Sequence, residues 1–488
     1  MWRVEAPEAL PRAEAPDVAR FVSTINQHAD FFDGTTPIVV ARAPGRLDLM
    51  GGIADYSGSL VLELPLAVAT FVAAQQASDR CLTVRSLAIG PDADRDVSVP
   101  LAELDDATNA GSITEDPRRR FAMYVLGAVP VLQHARGLAA GDGLRLLVDS
   151  SVPLNKGVSS SAALEVAAMT AICATFGVTL EPRDLALLCQ TVENVMVGAP
   201  CGVMDQMTAA CGERDRLLAL LCQPAELEAP VQLPPTLEVW GIDSGIRHEV
   251  GGADYTGVRV GAFMGYRMIA ALERLPVREV ANGQVEIVDA TWGGYLANVT
   301  PAQWESKYGD LIPEAMNGRV FLDAFGGITD PVTRVDPTRT YSVLAATAHP
   351  IYEHHRVQRF RDLLAAGTTT EEERLQLGDL MYQSHASYSA CGLGSSGTDA
   401  LVGLVREAGP AAGLYGAKIT GGGSGGVVAV LARAGSRSAV EGIVRDYERL
   451  TGRAAMVLGG SSDGAARFGV VRLCHSGFGA EDAEERGK

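Results

Sequence analysis

Three segments set the terms for this chain: PLNKGVSSSAA at residues 153–163, RAPGRLDLMGG at 42–52 and GGGSGG at 421–426. The first constrains the fold most. It is a glycine-serine turn that runs straight into an apolar helical stretch, so backbone N–H groups and serine hydroxyls converge at the positive end of a helix dipole. Such a spot suits a polyphosphate and its magnesium ion. Taken alone, the turn reads equally well as an ordinary serine-capped helix start. It is not a Walker loop, because no G-K-[ST] follows the glycine at the required spacing.

The 488 residues allow two to four domains, and 47% hydrophobic content with little low-complexity sequence supports a substantial core. A net charge of −18 argues against nucleic acid or an anionic membrane as partner. A nucleotide still fits, because a local pocket and a bound cation override the global field. Residues 1–20 carry Glu5, Glu8, Glu14 and Asp17 among prolines, with no apolar signal core. The apolar run Leu64–Ala74 is too short for a bilayer span. The eight cysteines contain no C-x-x-C pair and the eight histidines no H-E-x-x-H, which points to reduced thiols and no zinc site. The expected setting is cytoplasmic, with no obligate protein partner evident.

Residues 36–42 and 60–75 read as strands on either side of an Arg-rich turn, and 86–120 as charged surface excursions. LRLLVDSSVP leads into the Ser-rich turn, and Ser159–Phe176 reads as a helix capped by serine and stopped by Gly177. From Pro182, a second helix carries Leu185, Leu188, Cys189, Val192, Val195 and Met196 as one apolar stripe, with Glu193 on its flank. Strands are expected at LLALLCQP, at 237–243, around GGGSGG and at 468–474, and the tail EDAEERGK as frayed. The Pro-rich LPPT suggests a boundary near 225–235, hence domains 1–230 and 231–488.

Gly421, Gly423 and Gly426 satisfy G-x-G-x-x-G, but a strand pattern follows where a dinucleotide site needs a helix. G-x-S-x-G at Gly422–Gly426 fails as a nucleophile elbow for the same reason. Arg46 and Asp55 alone would be a surface ion pair. Asp205 is the one carboxylate in GAPCGVMDQMTAACG, and a lone Asp in small apolar surroundings needs a partner or a task. A helix N-cap is the plainer alternative.

PGRLDLMGG, PLNKGVSSSAA and KITGGGSGG, in that order, resemble the three motifs of the GHMP kinases. CQTVENVMVGAPCGVMDQM and DSGIRHEVGGADY resemble the sugar-kinase branch near galactokinase, over about residues 38–473. The resemblance implies an α+β fold of two domains, with ATP and sugar in the cleft between them. It implies Asp205 as base toward the sugar C1 hydroxyl and Arg46 as stabiliser of developing charge. Glu193 with Ser160 or Ser161 would hold Mg²⁺. The ATP phosphates would lie against Gly157, Val158, Ser159, Ser160, Ser161 and Ala162, with Gly422 and Gly423 facing them from the second domain. Asp55, Gly202 and Tyr255 would contact the sugar, along with positions 52 and 53. Galactokinases place Glu-His at those two positions to reach the 6-hydroxyl, whereas this chain has Gly52 and Ile53. L-Arabinopyranose is D-galactose without its hydroxymethyl arm, so L-arabinose is the expected acceptor. Galactokinase activity and a non-catalytic sugar-binding regulator are the rival expectations.

Overall fold

The computed structural model describes residues 1–5, 16–87, 96–104, 117–138, 143–246, 253–280, 283–367 and 370–476. The acidic tail, most of HEVGGAD and parts of the 86–120 stretch lie outside these residues.

A ten-stranded sheet carries the first half. Its spine comprises β1 (Trp2–Val4), β2 (Ile38–Met50), β3 (Leu60–Ala77), β4 (Cys81–Ser86), β5 (Asp96–Pro100) and β6 (Gly143–Ser150), with β7 (Arg216–Leu221) on β3. A smaller sheet holds β8 (Leu237–Asp243), β9 (Leu414–Ile419), β10 (Val427–Arg433) and β11 (Met456–Gly459), in the order β9-β10-β8-β11. The last strand, β12 (Val470–His475), crosses back to the first sheet, whose order is β1-β12-β2-β3-β6-β4-β5. We propose the division at residue 230 as the working domain boundary, with β12 and the short helix Ala465–Phe468 counted to the first unit.

Hydrophobic patterning explains which helices are covered. Helix α1 (Ser160–Phe176) is apolar on all sides and packs on β2 and β3 in the main core, as an all-round apolar helix must. Helix α2 (Pro182–Thr191) starts with proline in its first turn. It then passes into a π-helical turn, Val192–Val197, instead of continuing as an α-helix. The longer turn rotates the end of the expected stripe, leaving Val195 67% exposed while Glu193 is only 2% exposed. Helix α3 (Met204–Cys211) packs against both α1 and α2. In the second half, α4 (Ala253–Leu272) packs on α5 (Leu344–Ala365), and α6 (Glu371–Ala390) covers β9.

The segment read as an Arg-rich turn is strand. β2 runs on to Met50 and pairs with β3 throughout, with register shifts between Pro44 and Arg46 and between Asp48 and Met50. Bulges of this kind re-aim side chains without ending the pairing, and Pro44 has no N–H to give the ladder. All eight cysteines are unpaired. Among the described residues, no helix is long and apolar enough to cross a membrane.

Because β12 fills the place between β1 and β2, a fragment ending at residue 230 should leave both strands without that partner. Thermal denaturation of fragment 1–230 should show no cooperative transition, and co-expression with residues 231–488 should restore one. A sharp, reversible melt of the isolated fragment would contradict this account.

Candidate functional site

The bulges in β2, the turn before α1 and the start of α3 converge on one cleft. Arg46 lies at its floor, 2% exposed. Its Nε donates to Asp205 Oδ1 at 2.9 Å and its Nη1 donates to the Gly157 carbonyl oxygen at 2.7 Å. Glu63 Oε2 lies 3.1 Å from the same Nε, without hydrogen-bond alignment. Burial opposes the Arg46 charge, but Asp205, Glu63 and Asp48 outweigh it and raise its pKa further. Burial and neighbouring Asp48 push the Glu63 carboxyl well above the usual carboxylate range.

The turn ahead of α1 differs from a serine cap. Ser159 sits in the left-handed region at φ 59°, and no side chain caps the helix. Its hydroxyl is buried and unpartnered, facing the cleft with Ser160 and Ser161. A helix start whose first amides lack a side-chain cap can still accept an anion. The GGGSGG turn closes against this loop through backbone: Val427 N donates to the Lys156 carbonyl oxygen at 3.0 Å. A Cβ at Gly421 would stand 2.7 Å from the Gly157 oxygen, so close approach requires glycine there. Lys156 ties the loop to β8 through Asp243, at 3.0 Å.

Glu193, turned inward by the π-helical turn, accepts from Gln206 Nε2 at 2.6 Å, and its carboxyl is pushed up to about 7 by burial and by Asp205. Ser161 hydrogen-bonds to it. Gln206 also donates to Glu165 at 3.1 Å, so one amide holds two buried carboxyls apart. Among the described residues, no group of three or more His, Cys, Asp or Glu is arranged to hold a metal ion. A cation beside Glu193 and Ser161 would therefore need phosphate oxygens to complete its shell, which is the usual habit of Mg²⁺.

Across the cleft, Asp55 Oδ1 is buried without a partner, and burial raises this carboxyl to about 6 against the pull of Arg259. Gly202 makes room for it, since a Cβ there would overlap the Asp55 carboxylate. Ile53 and Tyr255 complete this wall. Thirteen lining residues thus include Arg46, Ile53, Asp55, Gly157, Ser159, Ser160, Ser161, Glu193, Gly202, Asp205, Tyr255 and Gly422 from the expected set, with Gly421 beside them. Four expected residues do not line the cleft. Val158 and Ala162 point into the core, and Gly423 backs onto Leu393. Gly52 is turned away from it: its N–H donates to Asp48 Oδ1 and its carbonyl oxygen faces His349 Nε2 at 3.1 Å. Phe121 and Tyr124 line the cleft from outside every motif, and Leu154, Asn155 and Lys156 line it from within PLNKGVSSSAA, where no role was expected of them.

The Asp55 shift has a stability consequence. A folded-state pKa raised from 3.8 to about 6 contributes stability that is present below the lower value and lost as pH rises through the upper one. Asp55→Asn, neutral at every pH, should therefore gain in stability relative to the unmodified chain between about pH 4 and 7, by on the order of 2–3 kcal/mol at the upper end. Melting both proteins across that range checks it; parallel curves would mean that ionised Asp55 is not strained by its burial.

The same segments align with known proteins. Residues 123–213 match the GHMP kinases N terminal domain, and residues 26–76 match the galactokinase galactose-binding signature. An L-arabinokinase of Arabidopsis thaliana is 44% identical over 91% of this chain, which spans about half (47%) of the length of that relative. A galactokinase of Chloroflexus aggregans is 31% identical, covering 88% of this chain and 94% of its own. The crystal structure of Lactococcus lactis galactokinase complexed with galactose superposes with a TM-score of 0.71 at 20% identity, over 91% of this chain and 99% of that one. A mevalonate kinase shares the fold more loosely, with a TM-score of 0.53 at 12% identity over 87% of this chain. With its α+β architecture, its cleft and a near full-length relative above 30% identity, the chain belongs to the GHMP kinase family, in the branch that contains the galactokinases.

Proposed function

We infer that the chain is a sugar-1-kinase that transfers the γ-phosphate of ATP to the C1 hydroxyl of L-arabinose, giving L-arabinose 1-phosphate and ADP. The observation that carries this reading is the Arg46–Asp205 pair, set between the phosphate-type loop and an acceptor wall of Asp55, Ile53 and Tyr255.

Phosphoryl transfer needs aligned reactants, charge neutralisation and a route for the hydroxyl proton. Asp205, held by the Arg46 guanidinium, accepts the C1 hydroxyl proton as the sugar oxygen bonds to the γ-phosphorus and the bond to the ADP oxygen breaks. Arg46 is already oriented by Gly157 and Asp205, so it meets the developing negative charge without reorganising. The α1 amides with the Ser159–Ser161 hydroxyls hold phosphate oxygens, and Gly421 and Gly422 close over them. Glu193 and Ser161 fit Mg²⁺, which when bound would neutralise phosphate charge. Asp55 Oδ1, buried and unpartnered, fits a sugar hydroxyl.

The acceptor follows from the wall. Ile53 is 1% exposed and lines the cleft with hydrocarbon where galactokinases carry histidine. A galactose 6-hydroxyl placed there loses water and gains no partner, at about 1–3 kcal/mol. The 44% identity to a plant L-arabinokinase, against 31% to a bacterial galactokinase, supports the same choice.

Asp205→Asn should keep the fold and lower kcat by about 10²–10⁴, the usual share of general-base catalysis. Coupled-assay turnover near the unmodified value, with an unchanged melt, would remove Asp205 from the chemistry. On a monosaccharide panel, L-arabinose should exceed D-galactose in kcat/KM by more than about tenfold. Ile53→His should narrow that gap, and histidine also tolerates the left-handed backbone at this position better than isoleucine does. Equal efficiency of the unmodified chain on both sugars would replace the arabinose assignment with a galactokinase one.

A further inference from the structure

Resting on that acceptor reading, we propose that Tyr388, outside the cleft, is a positioning residue for sugar selectivity: it forbids a side chain at position 52 and fixes Ile53 as the face that the acceptor meets. Tyr388 lies on α6, fully buried. Its hydroxyl donates to the Gly421 carbonyl oxygen at 2.9 Å and stands 3.2 Å from Asp48 Oδ2. The same Asp48 oxygen receives Lys418 Nζ at 2.8 Å, while Asp48 Oδ1 accepts the Gly52 N–H at 3.2 Å. One carboxylate is thus pinned by α6, by β9 and by the turn itself.

A Cβ built on Gly52 overlaps both the Tyr388 hydroxyl and Asp48 Oδ2. Neither can withdraw easily, because each is engaged elsewhere. Position 52 must therefore be glycine, and no side chain leaves it toward the cleft. The next residue absorbs the constraint. Ile53 is β-branched yet sits at φ 52°, in the left-handed region. Such strain persists only where the surroundings over-determine it. Glu353 receives the Gly51 N–H at 3.2 Å and His349 faces the Gly52 carbonyl, so the turn is gripped on both sides. The acceptor wall is shaped from behind, by residues that never touch the sugar.

Tyr388→Phe keeps the ring and removes the hydroxyl. With kcat/KM measured for L-arabinose and D-galactose, the arabinose-to-galactose ratio should fall by at least about threefold, chiefly through a higher KM for arabinose. A residue that merely stabilises the fold would depress both sugars by one factor, so an unchanged ratio overturns the proposal. The second measurement is a melting cycle with Gly52→Ala, made in the unmodified chain and in Tyr388→Phe. Alanine at 52 should lower the melting temperature less in the Phe background, as coupled neighbours require. Additive effects overturn the proposal. If the unmodified chain phosphorylates neither sugar, the acceptor reading falls by itself, and the melting cycle still decides whether Tyr388 dictates glycine at 52.

Discussion

The Arg46 guanidinium, buried at the floor of the cleft, joins elements that are far apart in the chain: β2, the loop before α1 and the start of α3. A buried charge is costly unless its hydrogen bonds and counter-charges are complete. Here Asp205 and Asp48 supply the charge, and Gly157 supplies a carbonyl oxygen. Each of those groups must then be held in place. The Asp48–Lys418 pair does so from the second half of the molecule, with both side chains fully buried. The two halves are thus joined by ionic contacts beneath the cleft as well as by the glycine turn above it.

That arrangement also divides the carboxyls by role. Asp205 faces the guanidinium and is partly open to the cleft. Glu193, Glu165 and Asp55 are buried and pushed upward in pKa, so each exists in a setting that favours a proton until a ligand supplies compensation. Perturbed carboxyls at and beside one cleft are a physical reason, independent of any motif, for reading it as the candidate functional centre.

Much of this was legible in the sequence because the motifs are contiguous. Gly157–Ser161 and Asp205 are local in the chain, and turn chemistry or isolation in an apolar stretch made them visible, whereas Gly202 stood out only through the family resemblance. The misreadings come from geometry that periodicity cannot register. A π-helical turn put Val195 outside the expected apolar stripe, and two bulges made a strand of RAPGRLDLM. Gly52 read as a vacated sugar contact; the reason for the glycine is a tyrosine hydroxyl supplied from residue 388. Glu63 and Lys418 went unnoticed because single charges within apolar strands give no pattern, although a lysine in LYGAKI is itself a signal that a buried partner exists.

The return of β12 to the first sheet bears on how the molecule is made. Trp2 pairs with His475 and Ile38 with Leu473, so these two strands acquire this neighbour only after the long stretch of chain between them and β12 has been made. At usual elongation rates that delay is on the order of tens of seconds. Over that interval β2 offers an open edge, flanked by apolar residues such as Val39 and Val40, to whatever is nearby. Contacts of such long sequence separation also form slowly. Until β12 is made, the β2 edge is therefore open to mispairing.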